Sequence, residues 1–227
     1  MDLQAILVSL KLATCTCLFV LPIAIALSLW LTFSRSRFTI LAEALVAMPL
    51  VLPPTVVGFY LLYAFSPHTS PLGRFLHQTL GTSLPFTFTG ILVGSIIYSL
   101  PLAVQPITAS FRNINPEMID AATNLGARKP RVLTRVILPA SLPGLIAALV
   151  LTFAHALGEF GIVLMIGGSR PGETRTASIS IYDSVQSTNY ASAAATSALL
   201  IATAATAVII TITLRRRSNT PRATDRR

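Results

Sequence analysis

Five long stretches without a single Asp, Glu, Lys or Arg, at 12–33, 44–65, 86–111, 136–157 and 190–214, constrain this chain more than any other feature. At about 1.5 Å of helix per residue, each is long enough to cross roughly 30 Å of hydrocarbon. Charged residues make up 11% of the chain, against about 25% in an ordinary soluble domain. The runs are continuously apolar, whereas a transmembrane barrel needs segments of about ten residues with alternating polarity. The expected fold is all-α: a polytopic membrane protein with five spans, forming one transmembrane domain over 1–227. Lys11 precedes the first run like the start of a secretory signal, but the run is too long for a signal's apolar region. No small-residue cleavage site follows before Arg35, so this segment is expected to stay attached.

The 17 Lys and Arg exceed the 8 Asp and Glu, and their placement decides what that excess means. Thirteen fall in the segments 34–43 and 112–135 and in the basic tail 215–227. Lys11, Arg74, Arg170 and Arg175 fall on the opposite side. Positive charge favours the inner face, so the amino terminus is expected outside and the carboxyl terminus in the cytoplasm. The tail reads as an anchor for lipid headgroups and not as a nucleic-acid arm. Cys15 and Cys17 sit in the first run without companion ligands and read as packing residues. His68, His77 and His155 are scattered, no metal site has the right spacing, and no Gly-rich phosphate loop follows a strand. Catalysis by this chain alone is not expected, and no cofactor is expected in it. The span centres also lack the paired acids or bases of an ion-coupled carrier.

Proline placement marks the second run. Pro49, Pro53, Pro54 and Gly58 lie in "MPLVLPPTVVGFY", where each proline removes a backbone donor and bends or breaks a helix. Such a break either lines a pathway or serves as a static kink. Pro53, Pro54, Thr55 and Gly58, with Glu159 at the outer end of the fourth run, are the candidate pathway or gate residues. Glu159 would repel an oxyanion, so its expected role is structural or gating. Glu43 is expected to be solvated or paired with Arg35 or Arg37. In the fifth run, Ala194, Ala198, Ala202 and Thr206 recur every fourth residue and suit close helix packing, inside the bundle or across a subunit boundary.

The segment 112–135 holds a short helix with its own start and stop signals. Asn115 can cap, Pro116 suits the first turn, Glu117 and Asp120 favour the positive end, and Gly126 supplies a left-handed stop. Met118, Ala122 and Leu125 fall along one side with Ile119 beside them. A helix this short is marginal in water by itself. It needs a surface to dock on: the membrane interface or a groove on a cytoplasmic partner.

Asp120-Ala121-Ala122, Gly126, Val136 and Leu138-Pro139 resemble the Glu-Ala-Ala-x3-Gly-x9-Ile-x-Leu-Pro signature of permease subunits in ABC importers, with Asp120 in place of Glu and Val136 in place of Ile. "MPLVLPPTVVGFYLL", "LGEFGIVLMIGG" and "PGETRTASISIYDSVQ" are similar to segments of the molybdate, tungstate and sulfate branch, with molybdate the best match. The resemblance implies a type I importer permease in a bacterial or archaeal cytoplasmic membrane. It implies a homodimer, two copies of a cytoplasmic ATPase subunit that binds ATP and Mg, and an extracytoplasmic oxyanion-binding protein. It makes Glu117, Met118, Ile119, Asp120, Ala121, Ala122, Leu125, Gly126 and Pro139 the ATPase-coupling residues. Arg170 and Arg175 either pair with acidic residues on a docking binding protein or belong to a solvated loop. Sulfate or tungstate as the cargo, and a non-transporting scaffold that recruits a cytoplasmic protein, are the alternatives.

Overall fold

In the computed structural model, residues 2–34, 36–81 and 83–218 are described, and among them there are helices and no strands. Helix α1 spans Leu3–Phe33, α2 Phe38–Val51, α3 Pro54–Phe65, α4 Pro71–Leu80 and α5 Phe88–Arg112. Then follow α6 (Pro116–Asn124), α7 (Lys129–Val132), a π-helical turn (Leu133–Ile137) and α8 (Leu138–Ala140). The chain closes with α9 (Leu142–Gly158), α10 (Gly161–Gly167), α11 (Ala177–Gln186) and α12 (Tyr190–Ser218).

Only α1 and α5, among the described residues, are single unbroken helices long and apolar enough to cross a bilayer. The second expected span is two helices, α2 and α3, meeting at 110°. Leu52 and Pro53 are extended at the break, because a residue before proline is pushed out of the helical region and Pro53-Pro54 removes two successive donors. The fourth expected span bends by 71° between Lys129–Ala140 and α9. There the Leu138 N–H reaches back to the Leu133 carbonyl, and Pro139, with no N–H, follows at the start of α8. Segments between the apolar runs carry helices of their own: α4 within 66–85, and α10 and α11 within 161–189. The tail from 219 onward lies outside the described residues.

The core is the α1, α5 and α9 trio. Val20, Ala24, Ala103, Ile107, Phe111 and Ala148 are buried together between these helices. Hydroxyls join α1 to α5: Thr16 Oγ1 donates to Ser95 Oγ at 3.0 Å, and Ser28 Oγ donates to the Val104 carbonyl at 3.2 Å. Such interhelical bonds matter where no hydrophobic force drives helices together. At Gly144, a Cβ would come within 2.4 Å of Ser110 Cβ and 2.7 Å of the Pro106 carbonyl. We expect Gly144→Ala to force α5 and α9 apart and lower stability by about 1–3 kcal/mol, read as a lower thermal midpoint of the detergent-solubilised chain. Ser110→Gly in the same chain restores only part of it, since the clash with the Pro106 carbonyl stays.

Helix α2 has no buried residue, and Phe38, Ile40, Leu41 and Val51 are all more than half exposed. The small residues Ala194, Ala198, Ala202 and Thr206 are also exposed on α12, while Ala193 and Thr196 form its buried side. The stripe therefore faces away from this chain's own bundle.

Candidate functional site

Two regions gather the residues singled out by sequence. The first is α6 with the turn that ends it. Asn115 Oδ1 accepts from the Glu117 N–H at 3.0 Å, and Pro116 opens the first turn. At the other end Gly126 has φ +82°. Its N–H donates to the Thr123 carbonyl at 2.9 Å, and the Ala127 N–H donates to the Ala122 carbonyl at 3.0 Å. This paired Schellman closure satisfies carbonyls that a short helix otherwise leaves open.

A Cβ at Gly126 would touch nothing within 4 Å, so its requirement is conformational and not steric. Gly126→Ala is therefore expected to weaken the closure by about 1–2 kcal/mol, the usual penalty for a left-handed L-residue. Hydrogen exchange at the Gly126 and Ala127 amides should accelerate roughly tenfold; Gly126→Asn, which tolerates that conformation, should stay near the parent rate.

The apolar side of α6 is divided in a way the periodicity did not predict. Ile119 and Ala122 turn inward and join the apolar cluster that holds Val132 and Ile137, α6 packing on α7 and the π-helical turn. Met118 is 50% exposed and Leu125 89% exposed, and Ala121, Glu117 and Asp120 are exposed as well. Of the expected Met118, Ala122 and Leu125 side, Met118 and Leu125 stand exposed with Ala121, while Ala122 is half-buried within the chain. Pro139 is exposed in α8, beyond the π-helical turn and not on this face. Glu43 pairs with Arg112, its two oxygens 3.0 and 3.4 Å from the guanidinium. That pairing links α2 to the C-terminal end of α5 while Glu43 stays half exposed, as the solvated alternative expected; Arg35 lies outside the described residues.

The second region is the meeting of two breaks. Helix α10 lies between α3 and α5. A Cβ at Gly161 would sit 2.7 Å from Pro54 Cβ and 3.5 Å from Thr55 N. One at Gly58 would sit 2.8 Å from Met165 Cβ and 3.1 Å from Ile162 Cα. Pro53 sets the extended entry to α3. Glu159, 5% exposed, places Oε1 3.3 Å from the Ile162 N–H, which donates to it. Pro53, Pro54, Thr55, Gly58 and Glu159, far apart in sequence, thus converge on the first turn of α10.

Two members of this region are not among the candidate site residues expected from sequence, where His155 is only one of three scattered histidines. His155 Nε2 is 3.2 Å from Glu159 Oε2, and the Tyr98 ring of α5 lies 5.1 Å from the imidazole. The His155 and Glu159 spacing of four residues was the available signal. Tyr98 had none, since only packing brings α5 there.

Arg170 and Arg175 are both engaged within the chain. Arg170 Nη1 donates to the Phe86 carbonyl at 2.6 Å and pairs with Glu173 at 3.1 Å. Arg175 lies between Asp183 at 3.3 Å and Asp2 at 3.7 Å. Asp2 also accepts from Ser180 at 3.0 Å. These contacts tie the start of α1 to α11 and stiffen the segment 169–183.

Comparison with known proteins matches residues 20–219 to the family described as binding-protein-dependent transport system inner membrane components. The molybdenum transport system permease protein ModB of Azotobacter vinelandii is 46% identical over 193 residues, covering 85% of this chain and 84% of the relative. ModB of Mycobacterium tuberculosis is 36% identical over 223 residues, covering 98% and 81%. The crystal structure of a bacterial ABC transporter that imports the acidic polysaccharide alginate superimposes with TM-score 0.80 at 21% identity, covering 96% of this chain and 80% of that one. That likeness shows a shared fold. With the match running over most of its length, this chain belongs to the family of binding-protein-dependent transport system inner membrane components.

Proposed function

We propose that this chain is the membrane-spanning permease subunit of an ABC importer that carries molybdate into the cytoplasm. The cargo follows from the ModB relatives, which align along most of the chain. The observation that carries the mechanism is the free Met118, Ala121 and Leu125 corner on a capped helix whose other side is packed on the bundle. A rigid apolar stud of this kind transmits force only if a partner receives it. The partner is a cytoplasmic ATPase, present in two copies, where ATP and Mg act. With the amino terminus outside, α6 lies on the cytoplasmic side, within reach of that ATPase. ATP binding draws the two ATPase copies together, and the paired permeases follow through their studs, rocking from inward-open to outward-open. An extracytoplasmic binding protein then delivers the anion. The five apolar runs contain no Lys or Arg, so transit relies on hydroxyls, backbone amides and water, and selectivity resides in the binding protein.

The test is radiolabelled molybdate uptake in cells whose own importer permease is replaced by this chain, with tungstate and sulfate as competitors. Uptake that molybdate and tungstate suppress and sulfate does not is the expected result. Tight molybdate binding by the purified permease alone contradicts the division of labour.

A further inference from the structure

A groove of about 640 Å³ opens between the inner end of α1 and the coupling segment. Its walls are Leu29, Trp30 and Phe33 from α1, Ile119 from α6 and Leu133 from the π-helical turn, with Lys129 as the charged residue among those that line it. Met118 and Leu125 take no part in it, so the groove and the free corner of α6 are separate surfaces. We propose that this groove binds a single phospholipid with an anionic headgroup, its acyl chain between α1 and α6 and its phosphate at Lys129, and that the lipid wedges the coupling helix against the bundle.

Three observations select that occupant. The groove sits where α1 passes from an apolar run to Ser34, the level at which a bilayer changes from hydrocarbon to headgroup, so lipid is the medium continuous with it. Its lining is mostly apolar and includes one cation, Lys129, with the hydroxyl residues Ser34 and Thr123, the complement of an acyl chain with a phosphate headgroup. Trp30 is 41% exposed at the same level, the depth at which indole is favoured. The proposal rests on the membrane placement in the proposed function, but not on the cargo or on the ATPase.

The chain has one tryptophan, so its fluorescence reports on this groove alone. The full chain is reconstituted in phosphatidylcholine with brominated phosphatidylglycerol, or with brominated phosphatidylcholine at equal mole fraction. Brominated phosphatidylglycerol is expected to quench Trp30 with about fivefold higher relative affinity, the gain of one cation near an anionic headgroup. Lys129→Ala should remove that preference and Lys129→Arg should keep it. Filling the groove with Ala127→Phe should reduce quenching by the anionic lipid to the level of bulk lipid. Equal quenching by the two lipids in the parent chain overturns the proposal. So does shielding of Trp30 that grows with protein density, which assigns the groove to a second copy. No quenching by either lipid overturns the membrane placement of this end of α1 and the proposal with it. Lost molybdate uptake with headgroup preference intact leaves the proposal standing and counts against the transport reading alone.

Discussion

Leu125→Asp should reduce molybdate uptake by tenfold or more while leaving the permease folded. Leu125 is 89% exposed, and its backbone, at φ −78° and ψ 8°, is one that Asp adopts readily. A substitution at such a position changes the stability of the isolated chain by about 0.5 kcal/mol or less. Seated in a partner's groove, the same leucine contributes about 1.5–3 kcal/mol through burial, and its loss weakens docking roughly tenfold for each 1.4 kcal/mol. In the proposed pair of permeases the stud is presented twice, and the carboxylate adds a desolvation penalty that Ala would not. Leu125→Asp is therefore expected to keep the parent thermal midpoint, to lose co-purification with the ATPase subunit, and to lose uptake. Ile119→Asp is the contrast. It strikes the side of α6 packed on the core and should lower the midpoint of the permease itself. If Leu125→Asp transports at the parent rate, the corner on α6 does not bear the load and the coupling reading fails.

The contrast between Leu125 and Ile119 shows what the sequence could and could not reveal. Asn115, Pro116 and Gly126 act on neighbours within one turn, so the start and stop of α6 were legible from residue type alone. Which apolar residue turns inward depends on where the helix is set down against α7 and the π-helical turn. Three residues of nearly equal hydrophobicity carry no information about that. The break at Pro53-Pro54 was legible for the same local reason as the cap, but not its 110° angle. That angle depends on α10, a short apolar segment bounded by glycines that resembled loop. The pairing of Glu43 with Arg112 spans 69 positions and follows from the packing of α2 on α5, which periodicity cannot report. Local chemistry was readable; the bends within the second and fourth runs, the helices inside 66–85 and 161–189, and the surface that each placed residue meets were not.

The same logic frames what Glu159 does. Its two oxygens face different elements: Oε1 accepts from the Ile162 N–H at the start of α10, and Oε2 lies 3.2 Å from His155 on α9. At 5% exposure there is little water to replace either contact. Glu159→Ala should cost about 1–3 kcal/mol, the penalty for a buried donor left without its acceptor, which lowers the thermal midpoint of a chain this size by roughly 5 °C. Glu159→Gln keeps an acceptor oxygen for Ile162 and a polar group facing His155, so it should recover most of that loss. The half-saturating molybdate concentration should not change in either variant, because a carboxylate in this position repels an oxyanion and binds none. Maximal uptake should fall with Ala, since α10 is held between α3 and α5 and the turn that seats it is slackened. A Gln variant as unstable as Ala would mean that the carboxylate is needed for its charge toward His155 and not as the acceptor that closes α10. An altered half-saturating concentration would place Glu159 against the anion itself.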